Sequence, residues 1–264
     1  MAKVLTFVSA VGGIGKSTLC ASVAYALAKR EQRVLLVDLS FDAPALDILF
    51  GVSESVVYTV CDVMGGAANA EKALFSLPEN RKEPYLQNIL LAPSSLIKPE
   101  GAEGVESAVR NLADAACADY VLIDASPSVY PSLFAISDER ILITDTRQSA
   151  LRAAEAFVQT WAERAPLNSF LLCGASLVRE SVLKEEPLLD IIDRLSLSLL
   201  GVLPYSGLLR DEGVLFEKRY EKEAYVRAVK NVAARIAGEN VPLLNGIALE
   251  GISRRFYIER SNEK

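Results

Sequence analysis

The run Ser9-Ala10-Val11-Gly12-Gly13-Ile14-Gly15-Lys16-Ser17-Thr18 restricts this chain more than any other segment. It follows a short apolar stretch at 4–8 and opens a helical pattern over 17–30, in which Leu19, Val23 and Leu27 share one face. In a strand, glycine-rich turn and helix taken in that order, backbone N–H groups can wrap phosphate oxygens. The helix N-terminus adds a favourable dipole. Gly12, Gly13, Ile14, Gly15, Lys16, Ser17 and Thr18 are therefore the candidate phosphate-binding residues. In such a loop the lysine, here Lys16, places its charge on the β- and γ-phosphates, and the Ser17 hydroxyl is placed to ligate Mg²⁺. The common form of the loop begins with glycine five residues before Gly15, where this chain has Ala10.

The rest of the chain repeats the strand–helix alternation. Short apolar runs at 34–37, 89–91, 120–123, 140–144, 170–173 and 198–202 read as strands. Helices are predicted over 102–118, 149–164 and 220–236, with one more between the last two strands. Shorter helices are predicted around 44–50, 56–64 and 70–77. Strands this apolar, separated by helices, imply an α/β fold: a doubly wound, mostly parallel sheet with helices on both faces. No repeat and no Pro/Gly/Ser-rich linker divides the chain, so 1–244 reads as one domain, and 245–264 as a separate C-terminal tail.

Ligands of such sheets sit at the carboxyl ends of the strands. Asp38 follows the run 34–37 and Asp124 follows the run 120–123. Asp124 is the candidate acid reaching Mg²⁺ through water. Asp38 can either hold the metal's water shell or orient an attacking water. Lys16, Asp38 and Asp124 are thus the candidate catalytic residues, with Ser17 and Asp124 as the metal pair.

Composition excludes several other chemistries. The chain has no histidine, so histidine triads, histidine metal sites and histidine proton shuttles are all ruled out. Cys20, Cys61, Cys117 and Cys173 are far apart, without metal-ligand spacing, which points to a reducing compartment. The net charge of -6 makes the chain a poor general partner for DNA. No uncharged apolar stretch approaches the ~18 residues of a membrane span. The residues before the glycine-rich turn lack a secretory cleavage site. The expectation is a soluble, cytoplasmic protein.

The run Gly12-Gly13-Ile14-Gly15-Lys16-Ser17-Thr18 resembles the deviant Walker A loop of the MinD/ParA family of P-loop ATPases. Arg33-Val34-Leu35-Leu36-Val37-Asp38 looks like that family's second strand and the start of switch I. Tyr120-Val121-Leu122-Ile123-Asp124-Ala125-Ser126-Pro127 resembles its Walker B strand and switch II. The segments 57–63, 90–94, 200–205 and 239–244 are also similar to the MinD pattern, in order and at the right spacing. The resemblance implies ATP and Mg²⁺ binding and a nucleotide-dependent homodimer. It also implies spatial regulation of division or of polar machinery through a protein partner. The segments at 57–63 and 239–244 argue against a small-molecule kinase or amide-forming ligase on a related fold. No cysteine closely follows Asp124, which argues against a redox relative.

Three departures fall on catalysis, dimer closure and base recognition. The family's signature lysine, directly before the Gly-Gly pair, is Val11 here. The second switch I aspartate is Ser40. The segment Cys173-Gly174-Ala175-Ser176 lacks the asparagine that often reads adenine in the family. Removing a group that stabilises transition-state charge can cost ~10³ or more in rate. The expectation is a protein that binds ATP and hydrolyses it slowly, with Arg147 as the candidate substitute cation. The alternative is a non-hydrolysing scaffold of a pilus, secretion or polar-localisation system.

MinD proteins end in an amphipathic membrane-targeting helix. In the tail here, Leu249, Ile252 and Phe256 fall on one helical face, and Arg254 and Arg255 suit anionic headgroups. Peripheral contact with the inner face of the membrane through 247–258 is the corresponding expectation, weakened by Gly251, Glu259 and Glu263.

Overall fold

The computed structural model describes residues 2–77, 84–95, 97, 103–126, 129–175, 188–209 and 218–243. Its strands are β1 (Lys3–Ser9), β2 (Val34–Leu39), β3 (Phe75–Ser76), β4 (Ile89–Ala92), β5 (Tyr120–Ala125), β6 (Glu139–Asp145), β7 (Ser169–Ala175) and β8 (Ser198–Pro204). They form one sheet in the order β3-β4-β2-β5-β1-β6-β7-β8. Every neighbouring pair is parallel except β3 with β4. The sequence order reverses around β1, and a sheet of this type opens its ligand crevice at such a point.

Strand alternation divides the core into two layers. Leu5, Phe7, Leu36 and Leu122 point to one face, and Val8, Leu35, Val37, Val121 and Ile123 to the other. On the first face lie α1 (Lys16–Ala28), α2 (Leu46–Leu49) and the last helix, α8 (Ala224–Ile236). On the second lie α3 (Val60–Met64), α4 (Val105–Ala116), α5 (Tyr130–Phe134), α6 (Gln148–Trp161) and α7 (Leu188–Leu195). With both faces covered, the middle of each long strand is mainly apolar, and many of the polar residues gather toward the strand ends.

α1 is buried on all sides from Leu19 to Ala28. Between its larger side chains stand Ala21, Ser22, Ala24, Ala26 and Ala28, which let α8 and the sheet approach it closely. α3 begins at a reciprocal cap: Thr59 and Asp62 exchange hydrogen bonds across the first turn. At the far end, the Arg235 guanidinium donates to the carbonyls of Leu200, Val241 and Pro242, fastening the last described segment to β8.

The expected doubly wound sheet is present, with local differences. The segment predicted helical at 70–77 is a 3₁₀ turn at Ala70–Ala73, followed by the edge strand β3. The last helix starts at Ala224 rather than 220, after a separate 3₁₀ turn at Lys218–Tyr220. α5 has no counterpart in the sequence reading, because five residues are too few to show a helical period. β2 and β5 each run one residue beyond the aspartate expected to end them. The tail at 247–258 lies outside the described residues.

One glycine marks a close packing point. A β-carbon at Gly201 would meet Val232 Cγ2 at 2.6 Å and Leu171 Cδ2 at 3.3 Å, both within the core. Gly201→Ala is expected to lower unfolding stability by about 1–3 kcal/mol through overpacking between β8 and α8. A leftward shift of the urea unfolding midpoint would show it, and an unchanged midpoint would contradict this packing.

Candidate nucleotide site

Parallel pairing brings the chemistry together. β5 lies between β1 and β2, with Phe7 opposite Asp124 and Asp38 opposite Asp124 on the two sides. The phosphate loop leaves the end of β1 and returns into α1 at Lys16. Gly13 and Gly15 have φ of +72° and +82°, the left-handed region that a β-carbon resists. Gly15 also caps α1, with no side-chain hydrogen bond to its N-terminus and no acid in its first turn. The helix dipole there is met by no side-chain carboxylate from its own first turn, the arrangement an anion needs.

Lys16 Nζ forms an ion pair with Asp124 Oδ1. Asp124 is wholly buried, and its Oδ2 has no hydrogen-bond partner among the described residues. A buried carboxylate oxygen without a partner is costly unless a further group meets it. Its chemistry fits the hydrated shell of a divalent cation, with the half-buried Ser17 beside Lys16 as the second donor.

Asp38 is equally buried but fully engaged. Its Oδ1 accepts from the Ser40 N–H at 2.9 Å, and its Oδ2 accepts from the N–H groups of Ala45 and Leu46, each at 3.1 Å. The carboxylate therefore organises the loop after β2 and sets the position of Ser40. Burial pushes its pKa up to about 6; the Asp124 charge adds to this, and the three backbone N–H groups oppose it. The Cys20 thiol, one helical turn beyond Lys16, is pushed up by burial and by Asp124, which leaves it an unreactive packing group.

A cleft of about 550 Å³ opens beside the loop. Gly13, Gly15 and Thr18 form one wall, and the ends of β6, β7 and β8 supply Asp145, Cys173, Gly174 and Tyr205. Arg147 lies at the same cleft. Its side chain folds onto Asp145 at 2.6 Å, and its backbone N–H also donates to Asp145 at 2.9 Å. Val11 is half-buried and packs against the apolar core. Lys16, Asp38 and Asp124 thus lie together, with Lys16 paired to Asp124 and Asp38 opposite Asp124 on the neighbouring strand. The sequence reading missed Asp145, although the strand-end rule that selects the other two aspartates also points to it.

Residues 5–249 match the CobQ/CobB/MinD/ParA nucleotide binding domain. The chain belongs to that family. Among relatives, the septum site-determining protein MinD of Synechocystis is 28% identical over 261 residues, covering 94% of each chain. The protein of the same name from Neisseria meningitidis is 29% identical, covering 91% of this chain and 93% of that one. Among solved structures, the MinC:MinD cell division protein complex of Aquifex aeolicus aligns with a TM-score of 0.77 and 25% identity. The alignment covers 92% of this chain and 98% of that one. The doubly wound sheet is therefore that of a MinD/ParA-type nucleotide-binding domain.

The raised Asp38 gives a pH prediction. A carboxyl whose folded-state pKa lies above its unfolded value contributes stability at low pH, and loses it as pH rises through the folded value. The stability of the unaltered protein minus that of Asp38→Asn is therefore expected to fall between about pH 4 and about pH 6, and to level off above. Parallel urea titrations check this; a flat difference across the window would contradict it.

Proposed function

We propose that the chain binds MgATP at the phosphate loop and acts as a nucleotide-dependent spatial regulator with slow ATP turnover. The Lys16–Asp124 pair carries this reading. It holds the loop cation next to a buried acid with a spare oxygen, where a triphosphate and its metal would each take one partner. On binding, Lys16 transfers its charge from Asp124 to the β- and γ-phosphates. Gly12, Gly13, Ile14 and Gly15 present backbone N–H groups to the phosphate oxygens, and Thr18 closes the first turn of α1. Ser17 and Asp124 would hold Mg²⁺, which when bound neutralises charge building on the phosphates. Asp38 is the switch carboxylate, acting through the loop that it caps.

Slow turnover follows from two positions. Val11 carries no charge to a nucleotide, in this subunit or across a dimer. Ser40 stands where the family has a second aspartate, and a hydroxyl orients an attacking water less strongly than a carboxylate. The same two residues favour the second reading, a scaffold that holds ATP without turnover. The relatives named for septum-site determination support spatial regulation as the role. The solved MinC:MinD complex supports a protein partner, and a nucleotide-dependent homodimer is part of the same proposal.

A single-turnover assay with labelled ATP and Mg²⁺ tests the reading, with Lys16→Ala as control. Bound nucleotide that depends on Lys16 and converts slowly to ADP is the expected result. Bound but unconverted ATP favours the scaffold, and no binding overturns both readings. Val11→Lys combined with Ser40→Asp is expected to raise the conversion rate by about tenfold or more, since each restores a charged group at the transferring phosphate.

The tail adds a membrane component. Among the described residues no helix is long and apolar enough to cross a membrane. The proposal is peripheral contact through 247–258. Deleting residues 247–264 should abolish co-sedimentation with anionic vesicles; retained binding would remove the membrane from the proposal.

A further inference from the structure

We propose that Tyr130 is a positioning residue whose hydroxyl couples the Asp124 strand to the start of the phosphate loop. The inference rests on the reading of that loop as the nucleotide site. β1 and β5 pair from Lys3 opposite Tyr120 to Phe7 opposite Asp124, and then part. Ser9, the last residue of β1, is nearly buried beyond that point. Its N–H donates to Tyr130 Oη at 3.1 Å. The same hydroxyl lies 3.3 Å from the Ala125 carbonyl and 3.4 Å from the Ser9 carbonyl, and its single proton serves one of them at a time. One side-chain oxygen thus takes the place of the ladder bonds that end where the two strands separate.

The two strand ends lead directly to the chemistry. Ser9 immediately precedes the loop that runs to Lys16, and Ala125 immediately follows Asp124. Tyr130 comes six residues after Asp124 in the chain, at the start of α5. A displacement of α5 relative to β1 and β5 would move the oxygen that holds Ser9. Phenylalanine would fill the same space and leave a buried N–H without a partner. The hydroxyl stays protonated through the physiological range, because burial pushes its pKa up to about 12.

The ring is fixed by other aromatic groups. Tyr130 stacks on Phe134 at 5.6 Å and meets the edge of Phe157 at 5.6 Å. Phe134 meets Trp161 edge-on at 4.7 Å. Trp161 is the only tryptophan in the chain, so displacement of Tyr130 reaches a single spectroscopic reporter through one intervening ring.

The test uses the full chain, Tyr130→Phe, and Thr6→Val as a matched control. Thr6→Val removes a different buried hydroxyl contact, that with Ser137, from the same strand. Without nucleotide, amide hydrogen exchange over 9–15 is expected to accelerate about tenfold in Tyr130→Phe and to stay within about twofold in Thr6→Val. MgATP affinity is expected to fall about tenfold in Tyr130→Phe alone. In the unaltered chain, saturating MgATP is expected to shift Trp161 emission. Equal exchange in the two variants overturns the tie. Nucleotide binding without an emission shift, or with full affinity in Tyr130→Phe, overturns the coupling. If the unaltered protein binds no MgATP, the nucleotide reading fails and the coupling with it, while the exchange comparison still decides whether Tyr130 holds Ser9.

Discussion

Asp124 is a charge in the centre of the sheet with no exposure to solvent, and Lys16, far away in sequence, is the cation that meets it. An unpaired buried carboxylate would cost several kcal/mol, so the fold must deliver Lys16 to this point. Delivery depends on the register of β1 against β5, which places Phe7 opposite Asp124 and brings the loop after Ser9 over the end of β5. A slip of one residue would send Asp124 to the opposite face, away from α1 and Lys16. The ion pair therefore demands this register.

The two packing layers have different relations to the site. On one face, α1 is held by small residues against the sheet and α8, and its first turn provides Lys16, Ser17 and Thr18. On the other face, α5 and α6 interlock through Tyr130, Phe134, Phe157 and Trp161. The first layer thus anchors the candidate phosphate-binding groups on a buried helix. The second packs on Val8 and Ala125 near the same strand ends, and the Tyr130 hydroxyl adds a polar tie to Ser9 and Ala125.

The departures from the family pattern have structural counterparts. Val11 is absorbed into the apolar packing beside the loop rather than held out to a ligand. Ser40 sits in a loop whose shape is set by three hydrogen bonds to Asp38. Asp38 thus acts as an internal cap, a role that its position at a strand end does not reveal. Arg147 lies against Asp145 at the cleft, so its charge is already balanced locally.

Much of this was legible in the sequence because it is local or periodic. The strand–glycine-rich loop–helix run names Gly12 to Thr18 directly, and apolar strands between helices imply a parallel sheet covered on both faces. The strand-end rule picks out Asp38 and Asp124 before any coordinates. Other features had no such signal. β3 is two residues long and exists only because β4 offers it an edge. α5 is too short to show a period, and Tyr130 reads as one more core aromatic until its hydroxyl is seen between Ser9 and Ala125. The order of the eight strands, the Lys16–Asp124 pair and the bonds made by Asp38 are contacts between distant residues. The sequence alone determined the kinds of element and the residue types able to hold a phosphate. Which of those residues meet was decided by tertiary structure, because strand register and the burial of charge are properties of the packed sheet as a whole.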